Sequence, residues 1–169
     1  YETEMAYFNE NMPTMIPVAK AFSEAIVSGP FRADFEREYG PHFIAMLENS
    51  LLIQDERIIP ELVRESELSV EYSKVAASCK TDFRGETCNF YGLLKHMESA
   101  DRAERKEAFE KWAALYESVS DRLDDLYDKL IGVRLSMAEK LGFKSYTELA
   151  YRNMGRLDYT PEHVEKFRE

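Results

Sequence analysis

Three histidines and two cysteines are the residues of this sequence whose types suit metal or redox chemistry. His42, His96 and His163 stand far apart, and none lies in an H-E-x-x-H pattern, which would place two imidazoles one helical turn apart around zinc. Cys79 and Cys88 flank a short non-helical stretch, where they could form a redox pair or half of a metal site. Because no C-x-x-C pattern or partner histidine accompanies them, we interpret the first as a core residue and the second as incidental. We expect no catalytic, cofactor-binding or metal-binding residue in this chain.

Runs of carboxylates are the other candidates for acid–base or cation chemistry. The aspartates stand in pairs one turn apart on a predicted helix, with basic residues between them, which is typical of a solvated helix face. The sequence also has no glycine-rich phosphate loop, no nucleophile elbow and no EF-hand loop. We therefore interpret these carboxylates as surface residues: Asp121, Asp124, Asp125, Asp128, Glu36 and Glu38.

The elements that would position these residues are mostly helices, because apolar residues recur every three or four positions. The dominant pattern begins with a capping box at Asp101 and Glu104, and it continues with no proline. This pattern predicts one very long helix at about 101–141. A stretch with a central Arg-Gly pair interrupts the helical periodicity and predicts a small hairpin near 80–88.

The remaining segments also favour an all-α fold. A first helix is expected to end near Pro13, with Thr14 beginning the next one. The sequence contains no internal repeat and no low-complexity linker. We predict a multi-helix body that forms a single helical domain over residues 1–169.

Composition excludes several classes of partner. The chain has 169 residues, a net charge of -10 and an isoelectric point near 4.9. That charge argues against nucleic acid, whose phosphates need a basic face, and against an anionic membrane surface. No apolar run is long enough to cross a bilayer. Two cysteines lean towards a reducing compartment, so we expect a cytoplasmic protein.

Part of the predicted surface should be covered by something else. The predicted long helix carries a second apolar stripe, so it should be buried within a larger assembly. A new helix start, with Thr160 as the cap and Pro161 in the first helical position, leaves nine residues after the cap. We expect a fragment whose partner is the remainder of its own chain, and which self-associates or binds apolar dyes when isolated. The second stripe consists of Phe109, Tyr116, Tyr127, Ile131, Leu135 and Ala138.

In order and spacing, a series of segments resembles oligoendopeptidase F, of the thimet oligopeptidase group of zinc metallopeptidases. The similarity covers nearly the whole chain, although no single motif in it is diagnostic. The opening, with Tyr1-Glu2 and Pro13, is similar more loosely. The segments that carry the resemblance are residues 62–75, 83–86, 105–109, 126–134, 138–143 and 151–159.

The resemblance implies that this chain is a non-catalytic part of a zinc metalloendopeptidase. In that family a helical body is split by a channel that admits short peptides, and the H-E-x-x-H motif lies downstream of the region matched here. The resemblance thus implies zinc and short peptide substrates for the parent enzyme, and a scaffold and channel-wall role, without activity, for this chain.

Two polar pairs could hold contacts across such a channel: Arg84 with Glu86, and Arg156 with Asp158. Ordinary loop ion pairs are the simpler interpretation of both. The alternative to the peptidase interpretation is a free-standing helical module that binds a protein partner through its exposed stripes.

Overall fold

The computed structural model describes residues 2–169, so the predicted start of the first helix at Tyr1 lies outside the described residues. Within these bounds the chain forms nine α-helices and one two-stranded antiparallel hairpin, which confirms the all-α prediction and the hairpin. No described helix is long and apolar enough to span a bilayer. The elements are α1 (Glu2–Val27), α2 (Arg32–Tyr39), α3 (Pro41–Ile53), α4 (Ile59–Ser78), β1 (Thr81–Phe83), β2 (Glu86–Cys88), α5 (Phe90–Met97), α6 (Arg102–Glu117), α7 (Ser120–Leu141), α8 (Tyr146–Asn153) and α9 (Pro161–Arg168), with a short 3₁₀ turn at Glu56–Ile58 before α4.

The described chain divides into two compact units. One consists of the residues up to Arg64 together with Val133–Glu169, and the other is Glu65–Gly132. Helices α4 and α7 each contribute residues to both units. The single domain expected over 1–169 stays a prediction.

The first unit has an apolar core on α7, α8 and the turn before α4. Side-chain hydrogen bonds tie its elements together: the Asn49 amide nitrogen on α3 donates to the Arg152 carbonyl of α8 at 2.9 Å. The Lys140 ammonium lies 2.6 Å from the Glu61 carboxylate, which joins α7 to α4 within this unit. The buried core residues are Ile58, Met137, Ala138 and Leu149.

The second unit has a core in which the hairpin packs with α5 and α6. Leu93 of α5 and Ala108 of α6 are fully buried there, and Phe83 brings the end of β1 into the same cluster. Both cysteines belong to this core, which confirms the interpretation of Cys79 as a core residue. Cys88, interpreted as incidental, is also buried. The second unit therefore holds its hairpin by burial on one face.

The predicted long helix at about 101–141 is wrong in one respect, because it is divided at Ser118-Val119 into α6 and α7. The Ser118 hydroxyl donates to the Leu115 carbonyl at 2.6 Å, and an uninterrupted helix would pair that carbonyl with the amide of Val119. The amide of Val119 bonds instead to the Tyr116 carbonyl, three residues back. Serine hydroxyls compete with the helical backbone in this way, and a second serine at position 120 does the same to Glu117.

The helix break predicted at Pro13 is also wrong, because α1 runs through both Pro13 and Pro17. A proline inside a helix removes one backbone hydrogen bond, but buried side chains lie on both sides of the two prolines. Met12 is buried before them and Ile26 after them. Tertiary packing therefore overrides the local signal here.

Candidate functional site

The hairpin of the second unit places two potential metal-ligating side chains on one face. Its turn is formed by Arg84 and Gly85, both with positive φ (50° and 86°), as the tightest hairpin turns require. Thr81 pairs with Cys88, and Phe83 pairs with Glu86. Because side chains alternate along a strand, Glu86 and Cys88, two positions apart, share a face.

Helix α5 follows the hairpin directly and brings the third side chain. Asn89 caps this helix by accepting a hydrogen bond from the Gly92 amide at 2.9 Å. A Cβ added at Gly92 would lie 3.1 Å from the Cβ of Cys88, so this glycine allows the close approach of α5 to β2. His96 lies one turn further along, in the last turn of α5.

Glu86, Cys88 and His96 converge as a result. One ligand atom from each of the three lies within 4.8 Å of the others. The thiol is buried, the imidazole is partly buried and the carboxylate is exposed. A cavity of about 380 Å³ opens beside them, and it is lined by Lys80, Glu86, Thr87, Cys88, Asn89, Gly92, Lys95 and His96.

The His96 ring forms a hydrogen bond with the carboxylate of Glu104 on α6. His96 Nδ1 lies 2.7 Å from Glu104 Oε1, and the Ser99 hydroxyl donates to the other oxygen at 2.7 Å. Arg84 adds an ion pair at 3.4 Å. The hydrogen bonds from His96 and Ser99, followed by the charge of Arg84, lower the pKa of Glu104 below its ordinary value.

This arrangement fixes the tautomer of His96. An ionised carboxylate only accepts hydrogen bonds, so Nδ1 of His96 must carry the proton that Glu104 accepts. In the neutral ring, Nε2 then keeps its lone pair for another partner. The ring is also packed against Phe83, with centroids 4.8 Å apart. The imidazole is thus oriented by one hydrogen bond and one aromatic contact.

Cys79, His163 and Asp125, three of the other candidate residues, have ordinary structural partners. Cys79 and Cys88 are both free thiols, and the Cys79 thiol donates to the Val75 carbonyl at 3.0 Å. His163 Nδ1 accepts from the Thr160 amide at 3.0 Å, in a cap at the start of α9. Asp125 lies 2.6 Å from an ammonium one turn later on α7, as expected of a solvated face.

The two predicted polar pairs are placed differently. Arg84 forms ion pairs with two carboxylates of α6, Glu104 at 3.4 Å and Glu107 at 3.0 Å. Arg156 lies over the rings of Tyr151 and Tyr159, 5.1 and 5.7 Å from their centroids. Neither arrangement points to catalysis.

Sequence reasoning missed the proximity of His96 to Cys88. The two residues stand eight positions apart in different elements, so no fixed-spacing motif describes them. Two local features of the sequence indicate this proximity: the hairpin turn, and the Asn89 cap that begins α5 directly after β2. Glu104 was assigned to a capping box, whereas the structure directs its carboxylate to His96 and Ser99.

Comparisons with known proteins give consistent relatives. The family model described as the peptidase M3 N-terminal domain matches residues 1–53. A solved structure from Bacillus anthracis str. Ames, assigned as an oligoendopeptidase F, is 34% identical, with a TM-score of 0.91 over 99% of this chain. A second structure with that assignment is 36% identical, and PZ peptidase A, solved with an inhibitor, is 37% identical; both have TM-scores of 0.92 over 99% of this chain.

These relatives are considerably longer than the chain. The matched region is 31% of the Bacillus anthracis protein and 30% of each of the other two. The chain therefore spans about three-tenths of the length of the solved structures that it matches. Comparison with curated proteins finds no match.

Proposed function

Because this chain is related to the oligoendopeptidase F family of M3 peptidases over nearly its whole length, we propose that it is a non-catalytic helical part of a zinc metalloendopeptidase. In this proposal it serves as scaffold and channel wall, and the remainder of the protein carries the peptidase chemistry. The parent enzyme cleaves short peptides in the cytoplasm, while residues 1–169 alone have no activity.

The observation that carries the proposal is the close match to about three-tenths of each peptidase structure. No H-E-x-x-H motif occurs in the sequence, so none of its residues is assigned to a catalytic zinc. When bound, that zinc would polarise the scissile carbonyl and activate water. Those steps belong to residues outside this chain, and we assign none of them to it.

Exposed apolar side chains support a covering partner. On α1, Met15, Val18 and Phe22 are 56%, 70% and 63% exposed. At about 100° per residue they lie within roughly 60° of the helix circumference, so they form one continuous stripe. Soluble monomers rarely leave a contiguous apolar stripe uncovered. In the proposed enzyme, the part of the protein outside residues 1–169 packs on this stripe.

Helix α7 supports the same conclusion. Tyr127, Ile131 and Leu135 stand one turn apart, and their side chains are exposed. Ala138, the fourth α7 member of the predicted second stripe, is buried instead. One α7 residue of the second stripe therefore packs in the chain's own core, and the three large side chains stay exposed and can contact a partner.

The first experiment reads the gene beyond the codon for Glu169. A reading frame that continues to an H-E-x-x-H motif would support the proposal, and a stop codon at that point would refute it. Purified chain 1–169 and the longer protein are then compared on short fluorogenic peptides. We expect cleavage by the longer protein only, abolished by a chelator and restored by zinc.

The channel-wall role needs its own measurement. A short peptide with a photoreactive group, bound to the longer protein, should crosslink to residues within 1–169. Crosslinks confined to the remainder of the protein would contradict this role while leaving the scaffold role intact. If instead the chain lacks any peptidase continuation and forms a stable complex with one protein partner, the free-standing interaction module is the correct interpretation.

A further inference from the structure

We propose that Glu86, Cys88 and His96 form a Zn²⁺ site in the second unit, with Glu104 as the residue that positions His96. The sequence alone predicted no metal ligand in this chain. The inference comes from the convergence of three donor groups around one cavity.

The donor set fits zinc better than the common hard cations. Thiolate, imidazole and carboxylate are the three ligand types of protein zinc sites, whereas Mg²⁺ and Ca²⁺ take oxygen ligands. Around a tetrahedral zinc ion, neighbouring sulfur and nitrogen ligands are about 3.5 Å apart. One donor atom from each residue lies within 4.8 Å of the other two, so the three groups must draw closer together to bind the ion. Glu86, which is exposed, can supply most of that movement.

The contact between His96 and Glu104 is the second, independent observation. Metal-binding histidines usually donate their other ring N–H to a carboxylate or carbonyl, which fixes the ring and raises its basicity. Here Nδ1 is held at 2.7 Å by a carboxylate that Ser99 and Arg84 also contact. Nε2 is therefore the nitrogen available for the metal.

Charge and space are also compatible with a divalent cation. Glu86 and the thiolate of Cys88 together carry two negative charges, which balance Zn²⁺. Lys80 and Lys95 also line the cavity, and their positive charges oppose a bare cation, so binding depends on both anionic ligands. The cavity of about 380 Å³ leaves room for a water molecule in the fourth position.

The test uses chain 1–169, in which no H-E-x-x-H motif competes for metal. Titration of the reduced chain with Co²⁺ should give one equivalent of binding and a sulfur-to-cobalt charge-transfer absorption. Zn²⁺ should displace the cobalt with the same stoichiometry. Absence of the charge-transfer absorption at saturating Co²⁺ would overturn the proposal.

Matched variants identify the ligands. Cys88→Ser should abolish the charge-transfer absorption, and Cys79→Ser, which removes the other buried thiol of the same core, should leave it unchanged. His96→Gln should weaken Zn²⁺ binding at least about tenfold, while His163→Gln should not change it. Equal effects of the two cysteine variants, or of the two histidine variants, would refute the assignment.

Two further variants keep the test valid if a buried substitution unfolds the chain. Glu86→Gln changes an exposed side chain and should still weaken Zn²⁺ binding at least about tenfold. Glu104→Gln should weaken it by about 10- to 100-fold with the cobalt absorption retained, because the first ligands remain. The control Glu107→Gln alters the other carboxylate paired with Arg84 and should have no effect. Circular dichroism confirms that each variant is folded; folded variants that bind Zn²⁺ like the parent chain would contradict the proposal.

Discussion

Phe22 allows a direct test of whether the stripe on α1 is covered in a longer protein. The substitution is Phe22→Ser, because serine and phenylalanine have similar helix propensities and the effect then comes from burial. The side chain is 63% exposed in chain 1–169. Complete burial of a phenylalanine side chain is worth about 1.5–3 kcal/mol, so covering the exposed part would add about 1–2 kcal/mol.

The expected result is a difference between two contexts. In chain 1–169 the substitution removes only the part of the ring that is already buried and should cost less than about 1 kcal/mol. In the longer protein it should cost about 1–2 kcal/mol more. The control is Ile26→Ala, one turn later on α1, whose side chain is already buried in this chain and which should cost about 2–5 kcal/mol in both contexts.

Hydrogen exchange of the α1 amides, read by mass spectrometry, is the appropriate assay. It reports the free energy of local opening and does not require the longer protein to unfold in a single step. Phe22→Ser should accelerate amide exchange in both contexts. A further loss of 1–2 kcal/mol makes that acceleration roughly 5- to 30-fold larger in the longer protein than in chain 1–169. An identical, small effect of Phe22→Ser in both contexts would show that nothing covers the stripe.

Two further predictions concern the stability of the chain itself. Leu93→Ala should lower the free energy of unfolding by about 2–5 kcal/mol in urea denaturation, since Leu93 is 0% exposed, whereas Leu94→Ala, 43% exposed, should cost less than half as much. Hydrogen bonds from Arg57 lower the pKa of Asp55 from 3.8 to about 2. This shift corresponds to about 2.4 kcal/mol of folding free energy, which solvent screening of the exposed guanidinium reduces to about 1 kcal/mol. Because the folded-state pKa is depressed, this stabilisation is complete above about pH 4 and is lost as the pH falls through about 2. Thermal unfolding of the chain and of Asp55→Asn should therefore differ most near neutral pH and converge at acid pH; a constant difference across that range would exclude an electrostatic origin.

The features of the fold that depend on local sequence could be predicted. Apolar periodicity predicted the helical class. Apolar residues that recur every three or four positions through α6 and α7, apart from the second stripe, are buried at five positions: Leu115, Leu123, Leu126, Leu130 and Met137. The Arg84-Gly85 turn predicted the hairpin, because its backbone conformation suits glycine and few other residues. The family resemblance was confirmed by the solved relatives.

Helix boundaries failed where two local signals competed. At Pro13 the signal to stop was strong, but packing of Met12 and Ile26 outweighed one lost hydrogen bond. At Ser118 the apolar spacing continued, yet a hydroxyl took the carbonyl that the next turn needed. Periodicity measures which face is buried, and it does not measure whether each backbone group keeps its helical partner.

The candidate metal site could not be predicted, because each of its residues had a sufficient local explanation. Cys88 looked like a residue beside a turn, His96 like one of three isolated histidines, and Glu104 like a helix cap. Two contacts bring these three residues together in the structure. Gly92 lets α5 approach β2, and α5 packs on α6 so that Glu104 lies 2.7 Å from His96. If convergence of these groups served stability alone, Glu104→Gln would lower the free energy of unfolding equally with and without zinc. Because a positioned imidazole contributes to metal binding, we expect Zn²⁺ to stabilise the parent chain more than this variant, and equal stabilisation of both would leave His96 and Glu104 as an ordinary structural pair.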